Sequence, residues 1–176
     1  IFDGTSAIML SGETANGKYP VRCIEVMNKI AVSTENSIDY WGMFFTRNYT
    51  IKQNDYEGNI ARSVCLTAKT ADAKAIIAYT DTGSSAKNIA GFLPSCPIYA
   101  ILENERTYRQ LSLTWNIKPI LVKKNGNIEE ILQEGIEIAK QEGIIESGDC
   151  IVISGGKPEI ETNNNLNRMI GGVFKV

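Results

Sequence analysis

The sequence predicts an α/β fold: a three-layer αβα sandwich around a five-stranded, mostly parallel sheet. Short apolar segments typical of buried strands alternate with segments of helical periodicity from residue 56 onward. The helical segments are long enough to serve as crossovers between parallel strands. The loop before the last strand leaves no room for a helix, so that strand is predicted to run antiparallel to its neighbour.

The five predicted strands are short apolar runs bounded by polar residues, glycine or proline. They cover residues 75–79, 98–102, 119–122, 150–154 and 169–176. The last of them follows an asparagine-rich turn. Runs of five to eight such residues fit strands buried in a sheet better than helices.

Four helices are predicted between these strands and before the first, over residues 59–71, 85–92, 105–111 and 128–142. The last has the clearest apolar stripe, with Ile128, Ile131 and Leu132 on one face. Asn127 with Glu130 resembles a capping box at its start. Gly143 is the expected carboxy-terminal cap.

The segment before residue 56 is organised differently. Residues 7–10 read as a short buried strand, and residues 21–38 read as a helix with Pro20 in its first turn. Residues 39–55 are predicted to form a connection, or a short helix packed by Trp41, Phe44 and Phe45. One strand and one helix cannot build a core, so we place a domain boundary after residue 38. Because the chain opens on Ile1 rather than Met, we expect it to begin within a longer protein.

Composition excludes several classes of function. A net charge of −2 with scattered lysines gives no basic patch for nucleic acid, and the apolar runs are far shorter than a membrane span. The four cysteines stand far apart without a C-x-x-C pair, which favours reduced thiols in a cytoplasmic protein. The absence of histidine excludes imidazole chemistry within this chain.

One long motif indicates a family. Residues 3–20 read D-G-T-S-A-I-M-L-S-G-E-T-A-N-G-K-Y-P, and M-L-S-G-E-T with G-x-Y-P resembles the final barrel strand and following loop of pyruvate kinases. Further segments resemble the regulatory domain of that family in order: A-K-A-I-I-A-Y-T-D-T-G-S-S-A, P-S-C-P-I-Y-A-I, R-Q-L-S-L-T-W-N-I-K-P-I-L-V and G-D-C-I-V-I-S-G. The resemblance implies that residues 1–38 are the last strand and helix of a catalytic (β/α)8 barrel. It also implies that residues 39–176 form the carboxy-terminal regulatory domain.

The resemblance also implies an activity for the parent enzyme. Pyruvate kinases transfer phosphate from phosphoenolpyruvate to ADP, giving pyruvate and ATP late in glycolysis, with Mg²⁺ and usually K⁺. The ligands of these ions belong to earlier barrel segments, so this chain alone is expected to bind neither ion and to be inactive. A stand-alone, non-catalytic module for phosphate ligands or for assembly is the alternative, which the barrel remnant disfavours. The family implies a homotetramer, in which the strand at residues 169–176 pairs across a two-fold axis.

Ser11 and Glu13 are supporting candidates for the catalytic site. The turn at Ser11, Gly12 and Glu13 follows a predicted barrel strand, and the carboxyl ends of barrel strands carry active sites. Both side chains could join a water network there. Equally, they could cap the next helix and satisfy its free amides.

The second candidate site is the loop of Thr80, Asp81, Thr82, Gly83, Ser84 and Ser85. Hydroxyls, a glycine and free helix amides form a natural cradle for phosphate, although a serine-rich turn that merely caps a helix is the commoner structure. The resemblance implies that this loop holds a phosphate of the allosteric effector. Two residues depart from the effector-binding pattern of the family. Asp81 stands where some effector-binding members carry lysine, and Ile131 stands where an effector-binding arginine is expected.

Lys157 is the remaining candidate cation, in the loop after the fourth strand. The family resemblance implies the strand order 3-2-1-4-5, which makes the first and fourth strands neighbours. The effector pocket is therefore predicted between the 80–85 loop and the 155–161 loop. Glu159 and Glu161 make the second loop acidic, so an empty crevice is the opposing interpretation.

Overall fold

The computed structural model describes residues 1–46, 55–123, 127–155 and 170–176. The helices are α1 (Gly12–Ala15), α2 (Pro20–Ser37), α3 (Tyr40–Thr46), α4 (Tyr56–Thr70), α5 (Ser84–Gly91), α6 (Glu105–Leu111) and α7 (Ile128–Gln141). The strands are β1 (Ala75–Tyr79), β2 (Ile98–Leu102), β3 (Ile117–Leu121), β4 (Cys150–Gly155) and β5 (Ile170–Lys175). Strands and helices alternate from α4 onward, as predicted.

The five strands form one sheet in the order β3-β2-β1-β4-β5, which confirms the predicted order. β1 pairs in parallel with β2 on one side and with β4 on the other. β5 runs antiparallel to β4, as predicted.

Two hydrophobic clusters, one on each face of the sheet, form the core. On one face, side chains of α4, α5 and α6 such as Val64, Ile89 and Leu111 pack on Ile76 of β1. On the other, α7 packs through Ile131 and its neighbours. α7 lies so close to β2 that a Cβ built on Gly135 would stand 2.1 Å from Cδ1 of Ile101. The predicted three-layer αβα sandwich is confirmed.

β1 and β2 are buried along their whole length. Their side chains alternate between the two clusters, so both faces of each strand are covered by helices. A strand covered on both faces requires a continuous apolar run rather than an alternating one. That requirement explains why A-I-I-A-Y and I-Y-A-I-L were read from the sequence with their observed bounds.

β3 begins two residues before its predicted start and includes Pro119. The sequence prediction began the strand at Pro119, and proline lacks the N–H that a central strand needs. β3 lies at an edge of the sheet, where one side of the strand has no ladder to maintain. Proline is therefore tolerated within it, and it discourages pairing with another edge.

The predicted strand at residues 7–10 is wrong. These residues have no regular secondary structure, and Met9 is 87% exposed. A strand needs a neighbour that accepts its backbone hydrogen bonds, and none of the five described strands pairs with this segment. Its apolar sequence matches that of a buried strand, but the pairing is missing.

The predicted helix near residues 21–38 is confirmed as α2, yet none of its residues is buried. The aromatic segment that follows forms α3, the short helix that was one of two predicted forms. Trp41 stacks on Phe44 with 5.6 Å between ring centroids, and the edge of Phe45 meets Trp41 at 4.6 Å. Phe44 is buried against the core, so α3 is held to the sheet domain by its aromatic rings.

The four cysteines are free thiols, as the sequence predicted. Burial raises the pKa of the Cys65 thiol to about 12 and that of the Cys96 thiol to about 11. Both thiols are therefore protonated at neutral pH and pack as small apolar groups. None of the helices in the described part of the chain combines the length and apolar character that crossing a membrane requires.

Candidate functional site

The 80–85 loop leaves the sheet at the point where strand order reverses. It follows β1, whose neighbours are β2 on one side and β4 on the other. The helix that follows β1 lies on one face of the sheet, whereas the helix that precedes β4 lies on the opposite face. Loops at such a reversal part from each other and leave a crevice beyond the carboxyl ends of the strands.

Gly83 determines the shape of this loop. Its φ is +84°, in the left-handed region that glycine adopts without strain. A Cβ at this position would lie 3.1 Å from Cδ2 of Leu111 and 3.2 Å from Cγ2 of Thr107, both on α6. The backbone therefore turns tightly against α6 before α5 begins at Ser84.

The N-cap residue of α5 has no side chain to cap the helix, although Oγ1 of Thr82 accepts a hydrogen bond from the Ser84 amide at 3.4 Å. Gly83 occupies the N-cap position, whereas Asp55, Asn104 and Asn127 accept hydrogen bonds from amides of α4, α6 and α7. The last of these confirms the cap predicted at Asn127, where the side chain accepts from the Glu130 amide at 2.9 Å. Uncapped amides at a helix start carry partial positive charge and can bind an anion.

The four hydroxyls of the loop point in different directions. Thr82 donates to Oγ of Ser84 at 3.2 Å, and both side chains are exposed. Thr80 is buried, and its Oγ1 accepts a hydrogen bond from the Gly83 amide at 2.9 Å. Ser85 donates to the backbone oxygen of Tyr79 at 3.5 Å. Thr82 and Ser84 therefore form the exposed pair, while Thr80 and Ser85 brace the backbone.

Acidic groups also lie at the carboxyl ends of β1 and β2. The hydroxyl of Tyr79 donates to Oε2 of Glu103 at 3.5 Å. The pKa of Tyr79 is raised, chiefly by burial and then by the charges of Glu103 and Asp81. The charge of Asp81 therefore acts on Tyr79, although its side chain is exposed. The amides at the start of α5 thus lie near acidic side chains.

Sequence reasoning missed Tyr79 and Glu103 as neighbours of this loop. Tyr79 is the last residue of β1, and Glu103 directly follows β2. Parallel neighbours end at the same edge of a sheet, so the strand order alone would have brought them together. Thr107 and Leu111 were also missed, and no local signal marks them, since their contact with Gly83 depends on how α6 packs.

Lys157, Glu159 and Glu161 lie outside the described residues. The loop that carries them begins at Gly155, the end of β4. A Cβ on Gly155 would lie 2.7 Å from the Cβ of Tyr79, so the two strand ends approach closely. The start of this loop is therefore beside the end of β1, as the predicted crevice requires.

Ser11 and Glu13 form a local turn. Ser11 is the N-cap residue of α1, and its backbone amide donates to Oε2 of Glu13 at 3.1 Å. The pKa of Glu13 is lowered because its carboxylate accepts hydrogen bonds from its own backbone amide and from that of Ser11. Both side chains are exposed, and in this arrangement Glu13 satisfies amides of its own helix.

No metal site is formed by the residues that the structure describes. Within residues 1–46, 55–123, 127–155 and 170–176, no three Cys, Asp or Glu side chains converge as a ligand set. Mg²⁺ prefers several oxygen ligands around one point. The described residues therefore offer no carboxylate cluster for a catalytic Mg²⁺.

Comparison with known proteins gives a consistent result. The family model described as "Pyruvate kinase, alpha/beta domain" matches residues 58–170. The pyruvate kinase of Sporosarcina psychrophila is 43% identical over 158 residues, which cover 90% of this chain and 27% of that protein. That of Clostridium acetobutylicum is 37% identical over 158 residues, covering 90% of this chain and 33% of its own length.

Solved structures agree with the sequence relatives. Cryptosporidium parvum pyruvate kinase in complex with ADP matches with a TM-score of 0.79 and 28% identity, over 95% of this chain and 33% of that one. The chain thus spans about a quarter to a third of the length of the relatives it matches. The aligned segment of 158 residues is longer than the α/β domain match, so the similarity extends beyond that domain.

We predict that Thr80→Val lowers the free energy of unfolding by about 1–3 kcal/mol, because the buried Gly83 amide loses its acceptor while the side-chain shape is kept. Urea denaturation measures this change. Thr82→Val is the matched control, since the same substitution at an exposed hydroxyl should stay within about 0.5 kcal/mol of wild type. Equal effects of the two substitutions would contradict the bracing role of Thr80.

Proposed function

The chain belongs to the pyruvate kinase family, and from that premise we propose that it is the regulatory portion of an enzyme that transfers phosphate from phosphoenolpyruvate to ADP. The products would be pyruvate and ATP, and the process glycolysis. The regulatory part of the proposal rests on one observation: a helix start with glycine at its N-cap and two exposed hydroxyls beside it, at the point where the strand order reverses. A cytoplasmic location is proposed with it, supported by the four free thiols.

Residues 1–38 are proposed to be the last strand and helix of the catalytic barrel. The support is the exposed apolar surface of α2, where Val21 is 71% and Ile30 is 61% exposed. A helix that leaves such side chains in water gains stability when another part of the protein covers them. The remainder of a barrel would supply that cover, and it would give residues 7–10 the neighbouring strands that they lack here.

Catalysis is proposed to depend on other parts of the barrel. Mg²⁺ and K⁺ are proposed as cofactors of the parent enzyme, but the described residues offer no ligand set for them, so we derive no step through either ion. Ser11 and Glu13 are still proposed as supporting residues of the catalytic site. Their exposed position after the residue 7–10 segment would place them at the rim of a barrel if that segment joined one.

The 80–85 loop is proposed to hold a phosphate group of an allosteric effector, a sugar phosphate or a nucleoside monophosphate. The amides at the start of α5 and the hydroxyls of Thr82 and Ser84 would contact its oxygens. Lys157 is proposed to close the site from the β4 side. Asp81 and Glu103 limit how much negative charge the site tolerates, which favours ligands with one phosphate over those with two.

The parent is proposed to be a homo-oligomer, with a tetramer as the family expectation. β5 is an edge of the sheet, and its Val173 and Phe174 are 49% and 44% exposed. An exposed edge with large apolar side chains and a single lysine, Lys175, has little to prevent pairing with a second copy. Two such edges can pair across a two-fold axis.

We predict that the purified chain alone does not form pyruvate from phosphoenolpyruvate and ADP in the presence of Mg²⁺ and K⁺. Phosphoryl transfer depends on charge stabilisation by metal ions and positioned cations, for which the described residues provide no site. A coupled assay for pyruvate measures this, with an unrelated protein purified in the same way as the control for host enzyme. Turnover above that control would contradict the proposal.

We predict that a sugar phosphate or nucleoside monophosphate raises the melting temperature of the chain. A ligand at 100 times its dissociation constant stabilises the fold by about 2.7 kcal/mol, a shift of roughly 2–8 °C for a domain near this size. Thermal shift assays with such ligands at millimolar concentration measure this. Ser84→Asp places a like charge at the helix start and should abolish the shift, while Ser63→Asp, on the exposed side of α4, should not. No shift with any phosphate ligand would mean that the loop only caps α5.

We predict that the chain dimerises through β5 and that Phe174→Glu in β5 favours the monomer. Two like charges brought together at paired edges repel, and the apolar contact is lost. Sedimentation analysis over a concentration series measures the dissociation constant. Leu113→Glu, at a side chain that is 72% exposed away from β5, is the matched control. A wild-type chain that stays monomeric at high micromolar concentration would argue against this interface.

A further inference from the structure

Helix α5 connects the candidate phosphate site to the opposite edge of the sheet. Its first residue, Ser84, belongs to the 80–85 loop, and after Gly91 the chain reaches Phe92 and Leu93 below the start of β2. Eight residues of α-helix span about 12 Å. A displacement at one end of such a rigid element therefore moves the other end.

The far end of α5 supports α3. The ring of Phe92 lies 6.2 Å from that of Phe44. Leu93 and Pro94 line a small, mostly apolar cavity together with Tyr40 and Trp41. The segment that follows α5 thus forms part of the surface on which the aromatic side chains of α3 rest.

Trp115 and Asn116 tie this region together. The side-chain amide of Asn116 donates to the backbone oxygens of Pro94 at 3.0 Å and Cys96 at 2.8 Å. The indole N–H of Trp115 donates to Oε1 of Glu35, near the end of α2, at 2.9 Å. The Trp115 ring also stacks on Tyr40 with centroids 5.8 Å apart. One dipeptide therefore joins the end of α5 to both α2 and α3.

Tyr40 and Glu35 are also coupled by charge. The pKa of Tyr40 is raised, first by burial and then by the negative charge of Glu35. The carboxylate of Glu35 therefore lies near both the tyrosine ring and the indole N–H. It accepts a hydrogen bond from Trp115, which is 80 residues away in sequence.

The near end of α5 is held just as tightly. A Cβ on Gly83 would lie 3.1 Å from Leu111 and 3.2 Å from Thr107 of α6, so these side chains would have to shift by a few tenths of an ångström. α6 ends at Leu111, four residues before Trp115. Both helices that border the 80–85 loop therefore lead to the same junction at the amino ends of the strands.

We propose that α5 and the Trp115–Asn116 pair form a mechanical link, through which a ligand on the 80–85 loop changes the packing of α3 and the end of α2. Its regulatory meaning rests on the proposed function, because it requires a ligand at the loop and a barrel attached to α2. The link itself follows from the contacts and can be tested without a ligand. Trp115 and Asn116 are positioning residues that act through the helices they join.

The first test uses the two tryptophans of the chain as reporters. Trp41 and Trp115 account for both tryptophans in the sequence, and both lie at the junction. Gly83→Ala forces a Cβ against α6 at the loop end, so tryptophan emission should shift and acrylamide quenching should increase. Gly91→Ala is the matched control on the same helix, because a Cβ there meets nothing within 4 Å.

Two further variants separate the link from general destabilisation. Ile145→Val removes a methylene from the core on the opposite face, and it should leave tryptophan emission unchanged.

If Gly83→Ala does not fold, Gly83→Asn tolerates the positive φ and retains the new Cβ contact. In an Asn116→Ala background, adding the Gly83 variant should produce no additional shift. Emission that responds equally to the Gly83 and Gly91 variants, or a shift that Asn116→Ala leaves intact, would overturn the link.

A second test measures coupling to a bound phosphate. Ribose 5-phosphate and AMP are titrated calorimetrically into the wild type, Asn116→Ala and Trp115→Phe. Coupling between two sites typically changes affinity by about 5–150-fold, so loss of the link should alter the affinity although neither residue belongs to the 80–85 loop. Binding with unchanged affinity and unchanged tryptophan emission would contradict the link while leaving the phosphate site intact. No binding to the wild type would contradict the phosphate site, and the Gly83 variants would then decide the link alone.

Discussion

The parallel pairing of β1 with β4 determines where most other parts of this chain lie. The register from Ala75 with Ile151 to Ala78 with Ser154 places a late strand beside the first one, so the chain must return past β1 and β2 after β3. Crossovers between parallel strands are right-handed. The crossover from β3 to β4 runs along the sheet in the direction opposite to the earlier ones, so α7 lies on the face opposite α5 and α6. That reversal covers both faces of β1. It also places the end of β4 beside the end of β1, from which the 80–85 loop leaves.

Most of the fold could be predicted because its elements are specified locally. β1 and β2 are buried on both faces, so their continuous apolar runs are visible in the sequence, and Asn127 with Gly143 marks both ends of α7. The sequence predictions failed where pairing between segments distant in the sequence determines the structure. Residues 7–10 have the composition of a buried strand but no partner among the described strands, and Pro119 is tolerated in β3 only because that strand lies at an edge. Strand order itself came from the family resemblance, since periodicity does not specify which strands are neighbours.

The residue types of the candidate site could be predicted from the sequence, but the directions of their side chains could not. Thr80, Thr82, Ser84 and Ser85 are all hydroxyl residues in one loop, and sequence reasoning treated them alike. The structure separates them, because Thr80 continues the buried face of β1 and is 3% exposed, whereas Thr82 lies at the tip of the turn. The direction of each hydroxyl depends on the positive φ of Gly83, which in turn depends on the proximity of α6. Tyr79 and Glu103 became neighbours only through the pairing of β1 with β2.

The carboxyl and amino ends of the parallel strands, here called the carboxyl edge and the amino edge, differ in chemistry because β3, β2, β1 and β4 all point the same way. Loops at the carboxyl edge run into helix starts, where free amides attract anions. Loops at the amino edge follow helix ends, where free carbonyls require donors. Donor side chains lie in these loops: the Asn116 amide donates to the loop carbonyls of Pro94 and Cys96, and the Trp115 indole donates to the carboxylate of Glu35. A phosphate is therefore suited to the carboxyl edge, whereas α2 and α3 attach at the amino edge. The helices that cross between the two ends of the strands are rigid elements shared by both, so they offer a direct route between a bound ligand and the attached helices.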